Sequence, residues 1–196
     1  GVPTNVLATA GNTQATVTWS APSSTGGSAI TGYTVMASPG GATASWSNGD
    51  LTATVTGLTN GTSYTFAVTA TNSVGEGNAS SSSSAVTPAT VPGAPINVTA
   101  SAGNTQATVT WSAPLSTGGS SITGYEITAS PGGQTVTVGG STLMTIFTSL
   151  TNGTSYTFTV VATNNVGKGA LSSASNAVTP ATVPGAPTNV TAAAGN

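Results

Sequence analysis

Along this chain apolar and polar residues alternate one by one in short runs, the period of a strand with one buried and one wet face. Ala15, Val17 and Trp19 interleave with Thr16, Thr18 and Ser20, and Tyr64, Phe66, Val68 and Ala70 interleave with Thr65, Ala67 and Thr69. The same reading predicts strands over residues 3–10, 15–20, 30–38, 42–47, 51–56, 64–70 and 80–87. Trp19 falls at the centre of the core, with Tyr33 and Val35 inward on the third strand and Leu51, Ala53 and Val55 inward on the fifth. Gly11-Asn12, Pro39-Gly40-Gly41, Asn48-Gly49-Asp50 and Thr59-Asn60-Gly61 supply turns, and longer loops hold Gly26 with Gly27 and Gly75 with Gly77. No helical period occurs. Seven short strands punctuated in this way predict an all-β sandwich.

The run from Leu58 to Asn72 returns at Leu150 to Asn164, 92 positions on. Laying residues 1–92 over 93–184 needs no gap, and roughly two-thirds of the aligned positions are identical. A fixed period of this kind means tandem units rather than one large domain. Two complete repeats are therefore expected, over 1–92 and 93–184. Residues 188–196 match 4–12 and 96–104, so residues 185–196 are expected to start a third repeat with its first strand. One strand cannot bury a face alone, which suggests a window cut from a longer array. The stretches 87–95 and 179–187 join the units. Pro88, Pro92 and Pro95 favour extended, semi-rigid backbone there and units set end to end.

Leu58, Gly61, Thr62, Tyr64, Phe66, Val68, Ala70 and Asn72 form the pattern L-x-x-G-T-x-Y-x-F-x-V-x-A-x-N ahead of a Gly-rich loop. In this the chain resembles the fibronectin type III domain. The resemblance covers both complete repeats and the first strand of the third. It implies tandem seven-stranded immunoglobulin-like sandwiches, with the first, second and fifth strands packed on the fourth, third, sixth and seventh. It also implies that Tyr64 and Tyr156 are tyrosine-corner residues, each hydroxyl bonded to nearby backbone while the ring packs inside. Trp19, Tyr33 and Leu58 would then line one core, and Trp111, Tyr125 and Leu150 the other. The rival is an immunoglobulin domain proper. Its inter-sheet cysteine pair is missing here, and Trp19 and Trp111 lie on the second strand, where type III domains carry theirs. The Gly-rich loops hold no Arg-Gly-Asp, so the integrin site of some animal members does not carry over.

Charge narrows the chemistry. The charged side chains are Asp50, Glu76, Glu126 and Lys168, net −2, without His or Cys. That leaves no thiolate, imidazole or disulfide, and no cofactor is expected. Nucleic acid and charged membrane surfaces need clusters of Lys and Arg to neutralise phosphate, so neither is an expected partner. No apolar run approaches the roughly 20 residues of a membrane span, and no signal peptide precedes Gly1.

Four groups of residues are candidate sites. The three carboxylates fall in different loops and strands, which disfavours both acid–base work and a cation site. Glu76 and Lys168 hold the same loop position in successive repeats; they either pair between chains or stand as solvated charges, and the second is the expectation. Lys168 is then the one trypsin site, in a loop. Asn60, Asn78, Asn97, Asn152 and Asn189 head N-x-S/T triplets, possible N-glycosylation sites although such triplets arise readily in a Ser/Thr-rich chain. Finally, Met144 and Ile146 take the outward places of Thr52 and Thr54, and Val161 that of Thr69. Either they form a contact surface for another copy or partner, or they are scattered surface residues or the mark of a register shift.

These readings lead to a non-enzymatic extracellular array: the tandem modules of a fibre, stalk or adhesive surface protein of a bacterium or archaeon. Its expected partners are other copies, further repeats of the same chain, or surface glycans or proteins. The alternative is a spacer in a secreted polysaccharide-degrading enzyme, joining catalytic and carbohydrate-binding domains. A carbohydrate-binding module proper would need exposed aromatics. Trp46 is the one obvious candidate, and the second repeat has Val138 there.

Overall fold

The computed structural model describes residues 1–46, 49–193 and 195. Asn48 of the expected hairpin turn, Ser47 of the expected fourth strand, and Ala194 and Asn196 of the third copy lie outside them. Repeat one holds β1 (Thr4–Ala10), β2 (Gln14–Ser20), β3 (Ile30–Ser38), β4 (Thr43–Trp46), β5 (Thr52–Thr56) and β6 (Thr65–Asn72). Repeat two holds β7 (Ile96–Ala102), β8 (Ala107–Ser112), β9 (Ile122–Ser130), β10 (Thr135–Gly139), β11 (Met144–Phe147), β12 (Thr157–Asn164) and β13 (Lys168–Leu171). Neighbouring strands run β1-β2-β5 and β4-β3-β6 in repeat one, and β11-β8-β7 and β10-β9-β12-β13 in repeat two, all antiparallel.

Alternation along the strands builds the cores. In repeat one Ala15, Val17 and Trp19 face Tyr33, Val35, Ala37, Phe66 and Val68 across the sandwich, closed by Ala53, Val55, Leu58 and Tyr64. In repeat two Val109, Trp111, Tyr125, Ile127, Leu150, Tyr156, Phe158 and Val160 do the same. Trp19 meets Tyr33 with ring centroids 5.3 Å apart, and Trp111 meets Tyr125 at 5.5 Å, tilted contacts that aromatic quadrupoles favour. Phe147, in the place of Val55, adds a contact with Phe158 at 4.9 Å. Neither buried indole N–H group has a hydrogen-bond partner among the described residues. Leu51, expected inside with Ala53 and Val55, instead stands ahead of β5 and is 38% exposed. Its carbonyl accepts the Trp19 amide at 3.0 Å, so the backbone, not the side chain, serves the fold there.

The seventh strand differs from its expected form. Residues 80–87 make no continuous ladder; Tyr64 and Val86 form an isolated bridge, and so do Tyr156 and Val178. The amides of Ser80, Ser83 and Val86 donate to the carbonyls of Val68, Phe66 and Tyr64. In return the amides of Val68 and Phe66 donate to the hydroxyls of Ser80 (3.0 Å) and Ser83 (3.1 Å). Ser172 and Ser175 repeat this against Val160 and Phe158. Contacts recurring every third residue fit an extended chain with three residues per turn, and alternation by two does not detect it. Serine hydroxyls take over the acceptor role of a missing strand.

Asn5, Asn97 and Asn189 share positive φ values of 53°, 55° and 56°, which asparagine tolerates better than most residues. In β1 and β7 the ladder register slips just after this residue. Asn189 thus keeps the local conformation of a strand start, yet among the described residues of 185–196 no strand forms and all are exposed. A strand needs a ladder partner, and no counterpart of β2 follows it within these 196 residues.

Candidate functional site

At the joint between the repeats the linker backbone is hydrogen-bonded to both units. Pro88 and Pro92 are buried, and the backbone between them passes from one repeat to the other one peptide at a time. The Gly61 amide donates to Pro88 O (2.9 Å) and the Ala89 amide to Gly11 O (3.1 Å), which fixes the linker to repeat one. The Thr90 amide then donates to Gly118 O (2.8 Å), and the Ala170 and Gly93 amides donate to Pro92 O (3.3 Å) and Ser116 O (2.9 Å). Asn164 locks this end: its Nδ2 donates to Thr90 O (2.8 Å) and to Thr117 O (2.9 Å), while its Oδ1 accepts the amides of Val166 and Gly167. Being only 4% exposed, the amide has every polar atom satisfied, as a buried group must. Glycines permit the approach: a Cβ on Gly118 would stand 2.2 Å from Thr90 O, on Gly169 2.3 Å from Pro92 O, and on Gly119 2.4 Å from the Gly61 nitrogen. The linker is therefore clamped on both sides, beyond the stiffness its prolines imply.

Each tyrosine hydroxyl behaves as the resemblance implies. Tyr64 accepts the Thr59 amide at 3.1 Å and Tyr156 the Thr151 amide at 3.2 Å, with both rings buried. The Thr151 amide stabilises the phenolate and holds the Tyr156 pKa below the ordinary tyrosine value. Burial raises those of Tyr33 and Tyr125.

The charged residues do not converge. Among the described residues no three carboxylates gather to hold a cation. Lys168 is not in a loop: it opens β13 and pairs with both oxygens of Glu126 at 2.9 Å, a bridge within the repeat that crosses β12. Glu126 replaces Thr34, so the pair needed both substitutions and a look across strands rather than along them. Val161, opposite Glu126 in the register, lies half-buried between β9 and β13, on the sheet that this bridge spans. In repeat one the corresponding Glu76 accepts from the Thr69 hydroxyl instead.

Met144 and Ile146 oppose Thr110 and Thr108, the register in which Thr52 and Thr54 oppose Thr18 and Thr16, so no slip has occurred. They are 55% and 49% exposed on the edge strand β11. Trp46 lies opposite Tyr33, hence on the inner face at the open rim, 42% exposed, with Nε1 donating to Asp50 Oδ2 at 3.1 Å. Of the triplet asparagines, Asn60 accepts the Thr13 amide (2.8 Å) and donates to Asn12, and Asn152 repeats this with Thr105 and Asn104. Their side-chain amides thus hold turns together. Asn97 donates to Ser112 at 3.4 Å, while Asn78 and Asn189 are exposed.

The model of the fibronectin type III domain matches residues 1–86 and 93–178. This chain belongs to that family. It is 37% identical over 184 residues to endoglucanase B of Cellulomonas fimi, spanning 88% of this chain and 17% of that protein. It is 39% identical over 186 residues to chitinase A1 of Niallia circulans, spanning 90% of this chain and 25% of that protein. Among solved structures, the FN1-FN3 domains of chicken CNTN1 superpose with a TM-score of 0.51 at 25% identity, covering 92% of this chain and 66% of that one. The chain therefore spans a quarter or less of the length of these curated relatives. Type III domains are non-catalytic modules.

Proposed function

We propose that this chain is a non-enzymatic spacer of a secreted polysaccharide-degrading enzyme, setting the separation and orientation of domains on either side. The observation that carries the reading is the clamped joint. A linker hydrogen-bonded first to one repeat and then to the other turns two sandwiches into a strut, whereas a flexible tether would let flanking domains wander. The likeness to an endoglucanase and a chitinase supports this over the fibre, stalk or adhesive protein that the repeat phase alone suggests. The sparse charge suits a role that avoids binding polyelectrolytes outside the cell. Reading the coding sequence on both sides of these 196 codons tests the proposal. A glycoside-hydrolase domain in the same reading frame is the expected result. Further type III repeats up to a surface anchor, without such a domain, would return the fibre to first place.

A further inference from the structure

Strand β11 is a free edge of its sheet, and it departs from its counterpart β5 at both outward places. Thr52 and Thr54 become Met144 and Ile146, 55% and 49% exposed. The phase of the backbone matters as much as the side chains. The Trp111 amide donates to Leu143 O at 3.1 Å, which makes Leu143 and Trp111 a hydrogen-bonded pair continuing the β8–β11 ladder. Such pairs recur at every second residue of an antiparallel ladder, so Thr145 and Phe147 are bonded to Val109 and Ala107. The N–H and C=O groups of Met144 and Ile146 therefore point away from β8, out of the open edge. These two residues thus offer both unpaired backbone along the edge and large apolar side chains on its outer face.

Nothing on β11 blunts this edge. Its residues, Met144-Thr145-Ile146-Phe147, include no charge and no proline, and its pairing with β8 runs without a bulge, the devices by which sheet edges are ordinarily kept apart. The opposite edge of the same sheet is protected. On β7 the Asn176 side chain accepts the Ala100 amide and donates to the Ala100 carbonyl, both at 2.9 Å, and so stands where a further strand would pair. Electrostatics opposes a second copy only weakly. The chain carries a net charge of −2, and the charged side chains of repeat two, Glu126 and Lys168, pair with each other on the other sheet.

We propose that β11 pairs antiparallel with β11 of a second copy about a two-fold axis at Thr145, joining two three-stranded sheets into one continuous sheet. Met144 of each copy then stands opposite Ile146 of the other. Each of these couples exchanges both of its backbone hydrogen bonds, and on the outer face the Met144 and Ile146 side chains of both copies close into one apolar cluster. A second copy suits this edge because the pattern is self-complementary. The two-fold sets apolar side chain on apolar side chain at both couples, and bare donor on bare acceptor, as an isologous contact requires. In repeat one the same pairing of β5 would set threonine on threonine and bury no such cluster. A strand of 4 residues buries less than a stable dimer needs, so the contact is weak, with a Kd of roughly 0.1–1 mM. At low micromolar concentration the chain is then a monomer, and the pairing matters where copies are crowded or tethered side by side. The proposal rests on repeat two alone and is independent of whether the flanking domains degrade polysaccharide.

Sedimentation of the chain, together with amide chemical shifts of its isotope-labelled form, tests the proposal from about 10 μM to about 1 mM, a range that brackets the expected Kd. The mass is expected to be that of a monomer at the lower end and to rise toward that of a dimer at the upper. Over the same range the amides of Met144 and Ile146 move downfield as they gain acceptors, while those of Thr52 and Thr54 hold still. Met144→Thr with Ile146→Thr restores the outward pattern of β5, so the fold is retained, and the lost apolar burial should weaken association at least about tenfold. A monomer at every concentration, a dimer in which the Met144 and Ile146 amides do not move, or a variant that associates as tightly as the parent chain overturns the proposal.

Discussion

Asn72 and Asn164 occupy the same place in two sandwiches and make the same local bonds, yet one is half-buried and the other 4% exposed. The difference is the linker, which in repeat two delivers Thr90 O to the second amide hydrogen. Burial at this position is thus a property of the joint and not of the repeat. A second contrast concerns the outer face of the larger sheet. Thr34, Thr69 and Glu76 in repeat one become Glu126, Val161 and Lys168 in repeat two, and a threonine–carboxylate hydrogen bond gives way to an ion pair. Closely similar cores therefore carry different surfaces, and the ends of the units carry the contacts.

If the cores are equivalent, Trp19→Ala and Trp111→Ala should each cost about 3–5 kcal/mol by opening a cavity beneath two sheets. Urea unfolding of each variant checks this, and markedly unequal losses would break the equivalence. The joint predicts inequality instead. Gly169→Ala forces a Cβ to within 2.3 Å of Pro92 O and should cost about 1–3 kcal/mol, as overpacking does, whereas Gly77→Ala should cost under about 1. Thermal unfolding of the pair sharpens the comparison, and matching losses would mean that the linker is not held there.

Alkali probes both cores at once. Burial raises the pKa of Tyr33 and Tyr125, so the folded state favours the neutral phenol. That contribution is complete below the ordinary value of 10.0 and is lost as the pH climbs through the raised folded values. Tyr156 works the other way, its lowered pKa giving stability present above the ordinary value and lost as the pH falls through the folded one. Urea melts at about pH 8 and about pH 11 should show a net loss at the higher pH, with each phenol's share removed by Tyr→Phe. The smallest effect is expected at the surface. Met144→Thr with Ile146→Thr restores the repeat-one pattern and should change stability by less than about 0.5 kcal/mol. A larger loss in the same melts would show that these side chains support the fold.

Sequence pattern reached the sandwich, the repeat phase and most of the inward residues, because these follow from alternation by two and from a fixed period, while the tyrosine corners were implied by the resemblance to the type III domain. It missed what depends on other geometry. The serine contacts at 80 and 83 recur by three, whereas the sequence pattern predicts a seventh strand there. The Glu126–Lys168 pair joins residues far apart in sequence across an intervening strand, and no local pattern links them. Leu51 fits the alternation of β5 but falls just before it, where the chain has left the inner face. The linker prolines signalled stiffness, yet the clamp itself depends on Asn164 and on glycines whose close approach is visible only in three dimensions.

The clamped linker should hold the two repeats as one rigid strut. Residual dipolar couplings measured on the intact chain test it most directly, with the alignment tensor fitted separately to residues 1–86 and 93–178. The same tensor, in magnitude and orientation, is expected for both repeats, with a divergence in Asn164→Ala. Different tensors in the unaltered chain would show that the repeats move independently, and would contradict it.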